Sequence, residues 1–445
     1  MNKSYKESHC IFSNITSLFG SSVILVRISG KLEEIKKVCN VLKITKPLIH
    51  NQCFLSKIYS DAEVLDEAVI TFFEAPKSFT GETCLEIALH GSRFIFHQFS
   101  EILIKCGLRF AENGEFSYRA FLNGKMNLVK AEGMAALIAS ETDVQHKIAM
   151  RQFEGENTKK FEVLKNSVLE ILGNLESLID FSDEDLPPEI SSKIEKQVAE
   201  ISLQIENILK NSSAISLQEG LKLAIIGRPN AGKSSIFNTL IGNSKAIVSA
   251  IAGTTRDVIE ERIILKGVPI IFYDTAGIRF ETKDEIEVEG IRRAKSVLSK
   301  SDIKLLVKTA DSKETFEELA KELNFEIDKN TILVINKIDL STTSEKGVKI
   351  SAITGKGFED LFSNIENLIE KNFLSLIEGS LISSERQKIL LKDALTNLKQ
   401  FNFGKEVELA SEDLRRTAIK LQSIIGTIDV EDVLGNIFSK FCIGK

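Results

Sequence analysis

An eight-residue stretch, GRPNAGKS at residues 227–234, constrains this chain more than any other feature. It fits the pattern G-x-x-x-x-G-K-[ST] and lies between the apolar residues 221–226 and a segment of helical periodicity that begins near Ser235. A strand, a glycine-rich loop and a helix in this order bring backbone N–H groups together at a helix N-terminus, where phosphate oxygens bind. In such a loop Lys233 would reach the β- and γ-phosphates, and the Ser234 hydroxyl would bind Mg²⁺. The stretch therefore predicts an α/β domain that binds a nucleotide.

The pattern along the rest of the chain predicts several domains of different classes. Residues 10–120 mix strand-like runs such as SSVILVRISG with an amphipathic helix that Gly107 ends, and residues 126–212 are dominated by helical periodicity. An alternating β/α pattern follows over residues 221–373, and helical periodicity then returns. The sequence thus predicts a multidomain fold: an N-terminal mixed α+β domain, an all-helical domain, and an α/β domain inserted into the helical one.

Length and composition limit the classes of protein to consider. At 445 residues the chain exceeds a single core and should form roughly two to four domains. It is 43% hydrophobic and 27% charged, and no apolar run approaches the roughly 18 residues of a membrane span. The polar N-terminus shows no signal-peptide pattern, and six cysteines without CxxC spacing indicate reduced thiols in the cytoplasm. A net charge of −6 argues against a generally basic nucleic-acid binder.

Two further motifs follow on the phosphate side of the predicted nucleotide site. GTTRD (253–257) offers the Thr255 hydroxyl to complete the Mg²⁺ coordination and to sense the γ-phosphate. DTAG (274–277) places the Asp274 carboxylate on the metal side, and its last residue can donate a backbone N–H to the γ-phosphate.

Two motifs after later strands predict which base is bound. NKID (336–339) ends in Asp339, whose carboxylate can accept two hydrogen bonds from the N1–H and N2–H₂ edge of guanine, which adenine lacks. SAITGKG (351–357) would close over the base. Five motifs in this order predict a Ras-like GTP-binding domain. We expect the nucleotide to be held by Asn230, Ala231, Gly232, Lys233, Ser234, Ser235, Ser249, Ala250, Ile251, Ala252, Gly253, Thr254, Thr255, Asp274, Thr275, Ala276, Gly277, Asn336, Lys337, Asp339, Ser351, Ala352 and Ile353.

The residues alone leave the route of GTP hydrolysis open. Ras-type enzymes orient the attacking water with a glutamine beside the DTAG motif, and Ile278 at that place cannot do so. Either the domain is a slow switch that needs a separate activator, or a carboxylate and a bound cation supply the missing groups. The acidic residues 283–290 offer glutamates at 285, 287 and 289, although a solvated loop has the same composition. The side-chain oxygen of Asn230 could bind a monovalent cation.

The most specific stretches lie outside the nucleotide motifs. Two of them are GEFSYRAFLNGKMNL (114–128) and the C-terminal FCIGK (441–445). Three shorter ones are VRISG (26–30), SFTGE (78–82) and LHG (89–91). With these stretches the chain resembles, over its full length, the MnmE (TrmE) family of tRNA-modification GTPases. The resemblance implies what composition and periodicity do not.

The implied domains are a formyl-tetrahydrofolate-binding and dimerisation domain at 1–122, two parts of a helical domain at 123–215 and 377–445, and an inserted G domain at 216–376. The implied cofactors are GTP, Mg²⁺, K⁺ and formyl-tetrahydrofolate. The implied assembly is a cytoplasmic homodimer that joins the FAD-binding partner MnmG in a heterotetramer. Together they would add an aminomethyl or carboxymethylaminomethyl group to the wobble uridine of certain tRNAs.

The resemblance also implies a potassium-dependent hydrolysis between paired G domains. Its K⁺ ligands would be Asn230 with backbone groups of Ser249, Ile251 and Thr254. The catalytic glutamate would be Glu287, because it lies three residues before a glycine. The loop is one residue longer than is common in the family, so Glu285 is the alternative.

The implied folate site and the C-terminal tail complete the expected sites. Folate would contact Arg27, Glu86, Lys125 and Lys445, although the chain departs from the family in NITSLFGSS (14–22) and at Ser92. Without the resemblance, these four would read as a strand-end arginine, a surface glutamate and solvated lysines. His90 could be a ligand, but a satisfied structural histidine is the preferred interpretation. The tail would present Cys442 as a catalytic thiolate, the alternative being a small buried residue that anchors the tail.

Two other functions fit parts of the sequence. A ribosome-assembly GTPase of the Era or Der type also lacks the glutamine, but the chain has neither a GxxG loop nor a second phosphate-binding loop. A nucleotide-dependent scaffold without turnover would not need the intact Lys233, Ser234, Thr255 and Asp274.

Overall fold

A computed structural model of the chain describes residues 9–18, 20–180, 188–242, 262–273, 301–377, 379–402 and 407–426. The chain divides into two compact units. The first comprises residues 1–135, 152–165 and 419–445, and the second comprises residues 136–151 and 166–418. The four domain segments that the resemblance implies stay a prediction.

The first unit contains a six-stranded sheet with the strand order β3-β4-β5-β2-β1-β6. Adjacent strands are antiparallel, except that β1 and β6 are parallel. The strand β2 confirms the strand predicted in SSVILVRISG. The bounds are β1 (Ile11–Asn14), β2 (Val23–Gly30), β3 (Cys53–Ser60), β4 (Glu63–Phe73), β5 (Thr83–His90) and β6 (Arg109–Phe110).

Helices α1 (Leu32–Val41) and α2 (Arg93–Lys105) follow strands of this sheet, and Phe99 and Leu103 of α2 join its buried core. The Ser92 hydroxyl caps α2 by accepting a hydrogen bond from the N–H of Ile95 at 3.4 Å. Gly107, with a φ of 95°, lies just past the end of α2 in the left-handed region that glycine adopts without strain. The helix predicted before Gly107 is therefore confirmed.

A buried glutamate at the start of α3 (Glu115–Leu122) holds an ion-pair cluster together. Its carboxylate accepts hydrogen bonds from both terminal nitrogens of Arg109, at 2.8 and 2.6 Å, and from Arg119 at 3.0 Å. Arg119 also donates to the carboxylate of Glu82, which accepts a further hydrogen bond from Ser29. Burial would raise the pKa of the Glu115 carboxyl, but the hydrogen bond from Arg109 and the neighbouring donors outweigh it and lower this pKa below its ordinary value.

The predicted helical segment before the α/β region consists of four successive helices. Every third or fourth residue of the two longest ones is apolar, as an amphipathic helix requires. In the part of the chain that the structure describes, no helix is both long enough and apolar enough to cross a bilayer. The bounds are α4 (Leu128–Ala139), α5 (Asp143–Phe153), α6 (Glu156–Asp180) and α7 (Pro188–Lys210).

The second unit contains a six-stranded sheet with the order β12-β11-β10-β7-β9-β8. All neighbours are parallel except β8, which pairs with β9 in antiparallel fashion. The alternating β/α pattern predicted here is confirmed. Its elements are α8 (Ser213–Glu219), β7 (Leu221–Gly227), α9 (Lys233–Gly242), β8 (Arg262–Leu265), β9 (Val268–Tyr273), β10 (Ile303–Thr309), α10 (Phe316–Glu322), β11 (Thr331–Asn336), β12 (Val348–Lys349) and α11 (Phe358–Asn372).

Two helices follow the α/β segment, α12 (Glu385–Gln400) and α13 (Val407–Ile425), and α12 packs against α7. The chain leaves and re-enters the helical region at one place, because the Ser380 hydroxyl donates to the carbonyl oxygen of Asn211 at 3.0 Å. The return of helical periodicity after the α/β segment is thereby confirmed.

Replacing Glu115→Gln should destabilise the first unit, because it leaves two largely buried guanidinium groups without their shared carboxylate. We expect the free energy of unfolding to fall by about 3–5 kcal/mol at neutral pH. The lowered pKa in the folded state means that the carboxylate stabilises the fold above its unfolded pKa of about 4.3 and loses that effect as the pH falls through the folded value. Urea unfolding at pH 7, 5 and 3 should therefore show the difference shrinking in acid.

The control is Glu101→Gln, which changes a half-exposed glutamate 3.9 Å from His97 in the same unit. It should alter the free energy of unfolding by less than about 0.5 kcal/mol. An equally large loss for Glu115→Gln at pH 3 and pH 7 would contradict the role given to the ionised carboxylate.

Candidate nucleotide site

The phosphate-binding loop lies at the carboxyl end of β7, between Gly227 and the first residue of α9, as the sequence predicts. β7 stands between β10 and β9, where the strand order reverses, and ligands of parallel sheets bind at such a switch point. A Cβ atom on Gly227 would lie 2.2 Å from the carbonyl oxygen of Val307, so only glycine fits there. Asn230 and Gly232 have φ angles of 62° and 91°, a left-handed turn of the backbone that suits a loop wrapped around an anion.

Lys233 places its ammonium group inside this loop. Its Nζ atom donates to the carbonyl oxygens of Gly227 at 2.9 Å and Arg228 at 2.8 Å. Burial lowers the pKa of Lys233 below its ordinary value. A phosphate group bound in the loop would bring a negative charge to this ammonium and so favour its charged form.

A single buried side chain, Asn336 at the end of β11, joins three segments of the site. Its Nδ2 atom donates to the carbonyl oxygen of Ala231 at 2.9 Å, and its Oδ1 atom accepts from the N–H of Ala352 at 3.1 Å. Gly232 lies against the same amide, because a Cβ atom there would be 2.2 Å from Nδ2. The phosphate-binding loop, NKID and SAI are thus held together by one amide group.

The remaining described residues of the predicted site lie around these contacts. Lys337 is half-buried with a φ of 64°, Asp339 is exposed, and Ser351 is fully buried, with its hydroxyl accepting from the N–H of Thr354 at 3.2 Å. Ile353 is 81% exposed. Three exposed polar residues lie at the phosphate end, one in the loop and two in the first turn of α9: Asn230, Ser234 and Ser235.

Part of the prediction falls outside the described residues. This applies to the segments that carry GTTRD, DTAG and the acidic stretch, and to the C-terminal tail. The residues concerned are Ser249, Ala250, Ile251, Ala252, Gly253, Thr254, Thr255, Asp274, Thr275, Ala276, Gly277, Glu285, Glu287, Cys442 and Lys445.

The predicted folate residues are only partly brought together. Arg27 and Glu86 face each other on β2 and β5, and their side chains form an ion pair at 2.8 Å. The Arg27 guanidinium lies over the rings of Phe79 and Phe116, 4.9 and 5.7 Å from their centres. The two residues therefore neutralise each other in this conformation, whereas the predicted folate site has them as separate ligands. Lys125 is exposed, with its Cγ 3.3 Å from a Cβ placed on Gly81.

Two further observations concern the first unit. His90 is a satisfied histidine as predicted, because its Nδ1 atom lies 2.7 Å from a carboxylate oxygen of the buried Asp66. Sequence reasoning missed the pairing of Glu82 with Arg119, although both lie inside the quoted blocks SFTGE and GEFSYRAF. Their charges were the available signal, but the partners are 37 residues apart.

The described donor set fits a phosphate ligand with an accompanying Mg²⁺. The loop supplies left-handed backbone, one partly buried ammonium and the Ser234 hydroxyl in the first turn of α9. Within the described ranges, no group of three or more His, Cys, Asp or Glu residues could hold a metal on its own.

Replacing Asn336→Asp keeps the acceptor for Ala352 and removes the donor to Ala231. We expect the free energy of unfolding to fall by about 1–3 kcal/mol, because a buried carbonyl oxygen loses its donor and faces a carboxylate. Affinity for a fluorescent GDP analogue should fall by about tenfold or more, equivalent to about 1.4 kcal/mol. Asn372→Asp is the matched control, because Nδ2 of Asn372 also donates to two oxygens, those of Lys329 and Asn330. Equal GDP affinity of the two variants would contradict the bridging role.

Comparison with known proteins shows which family the chain resembles in sequence. Residues 10–125 match the family described as GTP-binding protein TrmE N-terminus, and residues 128–442 match the MnmE helical domain. The chain is 40% identical over 447 residues to the tRNA modification GTPase MnmE of Rickettsia bellii, covering 98% of this chain and 99% of the relative. The protein of the same name from Aquifex aeolicus is 40% identical over 450 residues, with 97% and 98% covered. The chain therefore belongs to the MnmE family of tRNA modification GTPases.

Proposed function

We infer that this protein is a GTPase that acts in tRNA modification. The observation that carries the inference is the Asn336 amide, which joins the phosphate-binding loop to the NKID and SAI segments that we expect to face a guanine base. Membership of the MnmE family supports the same conclusion. In a Ras-like G domain the nucleotide would lie at the carboxyl ends of β7 and β11.

In the proposed site the chain binds GTP along one edge of the parallel sheet. Backbone N–H groups of the loop and Lys233 hold the phosphates, and Asp339 accepts hydrogen bonds from guanine, which orients the base. Ser234 and Thr255 would hold Mg²⁺, with Asp274 on the metal side. When bound, Mg²⁺ neutralises charge on the β- and γ-phosphates. The segments around GTTRD, DTAG and SAI would supply the remaining contacts named above.

Hydrolysis in this proposal depends on K⁺ and on a pair of G domains. Support comes from Asn230, which is exposed in the left-handed part of the loop, so its side-chain oxygen is accessible to a cation. Backbone groups of Ser249, Ile251 and Thr254 would complete the K⁺ ligands. Glu287 would orient the attacking water, with Glu285 as the alternative. This arrangement would do the work of the water-orienting glutamine, whose place in this chain is taken by Ile278.

The tRNA reaction in this proposal needs a partner and a one-carbon donor. The protein would act as a cytoplasmic homodimer with MnmG and add an aminomethyl or carboxymethylaminomethyl group to the wobble uridine. The domain boundaries would be those that the resemblance implies, with residues 1–122 forming the dimer. Cys442 would act as nucleophile or acid/base on the uridine or the one-carbon unit.

Formyl-tetrahydrofolate binding would require the Arg27–Glu86 ion pair to open. Arg27 would then meet the glutamyl carboxylate, with Lys125 and Lys445 as further cations, and Glu86 would accept hydrogen bonds from the pterin. Support comes from the partial burial of this ion pair and from the two phenyl rings of Phe79 and Phe116 under the Arg27 guanidinium.

GTP hydrolysis should be faster in KCl than in NaCl at the same ionic strength. We expect a difference of at least about tenfold, because a correctly placed cation stabilises the charge that develops in phosphoryl transfer. Asn230→Ala should remove the difference while GTP binding remains. Phosphate release from the full chain at saturating GTP measures it. Equal, slow turnover in both salts would contradict the K⁺ mechanism, and an absence of turnover with intact GTP binding would favour a scaffold.

Asp339→Asn should change the base preference from guanine to xanthine. The variant loses two charge-assisted hydrogen bonds to guanine, so GTP affinity should fall by about 100-fold. The Asn amide can instead donate to the C2 carbonyl of xanthine, so XTP should bind more tightly to the variant than to the unmodified chain. Competition of GTP and XTP against a fluorescent GDP analogue measures both. Asp360→Asn, an exposed aspartate on α11, should leave the preference unchanged.

A further inference from the structure

A lysine side chain is buried at the carboxyl end of β10, where an apolar residue would ordinarily pack. The Lys308 side chain is only 2% exposed. Its ammonium group donates to the backbone carbonyl oxygen of Glu314 at 2.6 Å and to the carboxylate of Glu345, and it lies 4.8 Å from the centre of the Phe316 ring. Each side of the ammonium therefore has a partner, as a buried charge requires.

One partner of the ammonium, the Glu345 carboxylate, belongs to the loop that carries the base-recognition motif NKID. Glu345 lies in residues 337–347, which follow directly after Asn336 and include the exposed Asp339. Near its start, the loop is fixed by a hydrogen bond from the N–H of Ile338 to the carbonyl oxygen of Ile350 at 3.3 Å. The Lys308–Glu345 ion pair is a second anchor near the other end of the loop.

The other partner, the backbone of Glu314, connects Lys308 to the phosphate-binding loop. Lys308 holds the backbone of Glu314, whose carboxylate lies 2.8 Å from the guanidinium group of Arg228. Arg228 follows Gly227 in the loop, and its guanidinium also pairs with Glu322 at the end of α10. Lys308 thus contacts Glu345 in the loop 337–347 and also Glu314, which contacts Arg228 of the phosphate-binding loop.

We propose that Lys308 is a positioning residue for the guanine nucleotide site. It touches no nucleotide, but it holds residues 337–347 and, through Glu314 and Arg228, the phosphate-binding loop in one arrangement. A loop that is already ordered costs less conformational entropy when the ligand binds, so the affinity rises. The proposal rests on the inferred GTPase function and adds a residue that no nucleotide motif contains.

The same strand provides a matched control. The Lys304 ammonium donates to the Asp328 carboxylate at 2.7 Å and lies 5.4 Å from the centre of the Phe325 ring. Residues four apart on a strand face the same side of the sheet, so both lysines have the same type of surroundings. Lys304, however, lies at the opposite end of β10 from the loops that carry the nucleotide motifs.

The test compares Lys308→Met with Lys304→Met in the full chain. Methionine keeps most of the side-chain volume, and the Glu345 carboxylate, already 34% exposed, can turn to water. Methionine removes only the lysine partner of the ion pair, so we expect the thermal midpoint of Lys308→Met to fall, and GDP affinity is measured at a temperature at which both variants are folded. Its affinity for a fluorescent GDP analogue should fall by about tenfold, through faster dissociation, as expected when a positioning contact is lost. Lys304→Met should bind GDP like the unmodified chain.

Steady-state kinetics gives a second readout. Lys308→Met should raise KM for GTP and leave kcat nearly unchanged, because the loss concerns binding and not the transition state alone. Glu345→Gln should lower GDP affinity as well, and the double variant should be no weaker than Lys308→Met by itself. Glu345→Gln also keeps the test decisive if Lys308→Met does not fold.

Each result bears on one claim. Unchanged GDP affinity in both Lys308→Met and Glu345→Gln overturns the positioning role. Equal losses of affinity and thermal midpoint in Lys308→Met and Lys304→Met also overturn it, because they indicate a general packing defect. If the unmodified chain binds no GDP, the inferred GTPase function fails instead, so the two failures are distinguishable.

Discussion

The candidate nucleotide site depends on one buried amide, that of Asn336. It satisfies a carbonyl group 105 residues earlier in the chain and an N–H group 16 residues later. Buried backbone groups of this kind are costly when they lack a partner, so the three segments are strongly held in one arrangement. Gly232 is part of the same constraint, because a side chain there would collide with the amide. The positions of Lys233, Asp339 and Ser351 all follow from this contact.

The sequence was sufficient to predict this part of the molecule because its signals are local. Apolar strands, helical periodicity and the residues of the phosphate-binding loop lie within short windows, and the strand–loop–helix context of residues 221–242 leaves few alternatives. The strand β11, which ends at Asn336, was predictable from its apolar residues in the same way. The helices on either side of the α/β segment were predictable from their apolar period.

The pairings between charged residues could not be predicted in this way. Arg27 and Glu86 belong to strands whose register depends on the whole sheet, so their ion pair is invisible to periodicity. Glu115 looks like an ordinary first-turn acid of a helix, yet it is buried between two arginines. Lys308 interrupts an apolar strand, and a lysine there suggests a solvent-facing position. Its side chain is nevertheless buried, because the carboxylate of Glu345, 37 residues later, pairs with its ammonium group. In each case the missing information is the tertiary partner that makes burial of a charge tolerable.

The hydrogen bond from Ser380 to Asn211 has a consequence for the architecture of the chain. The α/β segment begins and ends at nearly the same point, so it forms a closed excursion between α7 and α12. The entropy of closing such a loop grows only slowly with its length, and a folded segment with adjacent ends has already met most of that cost. The two helices can therefore pack as though they were joined by a short turn. An α/β domain could be acquired, exchanged or lost at this junction in evolution without disturbing the contact of α7 with α12.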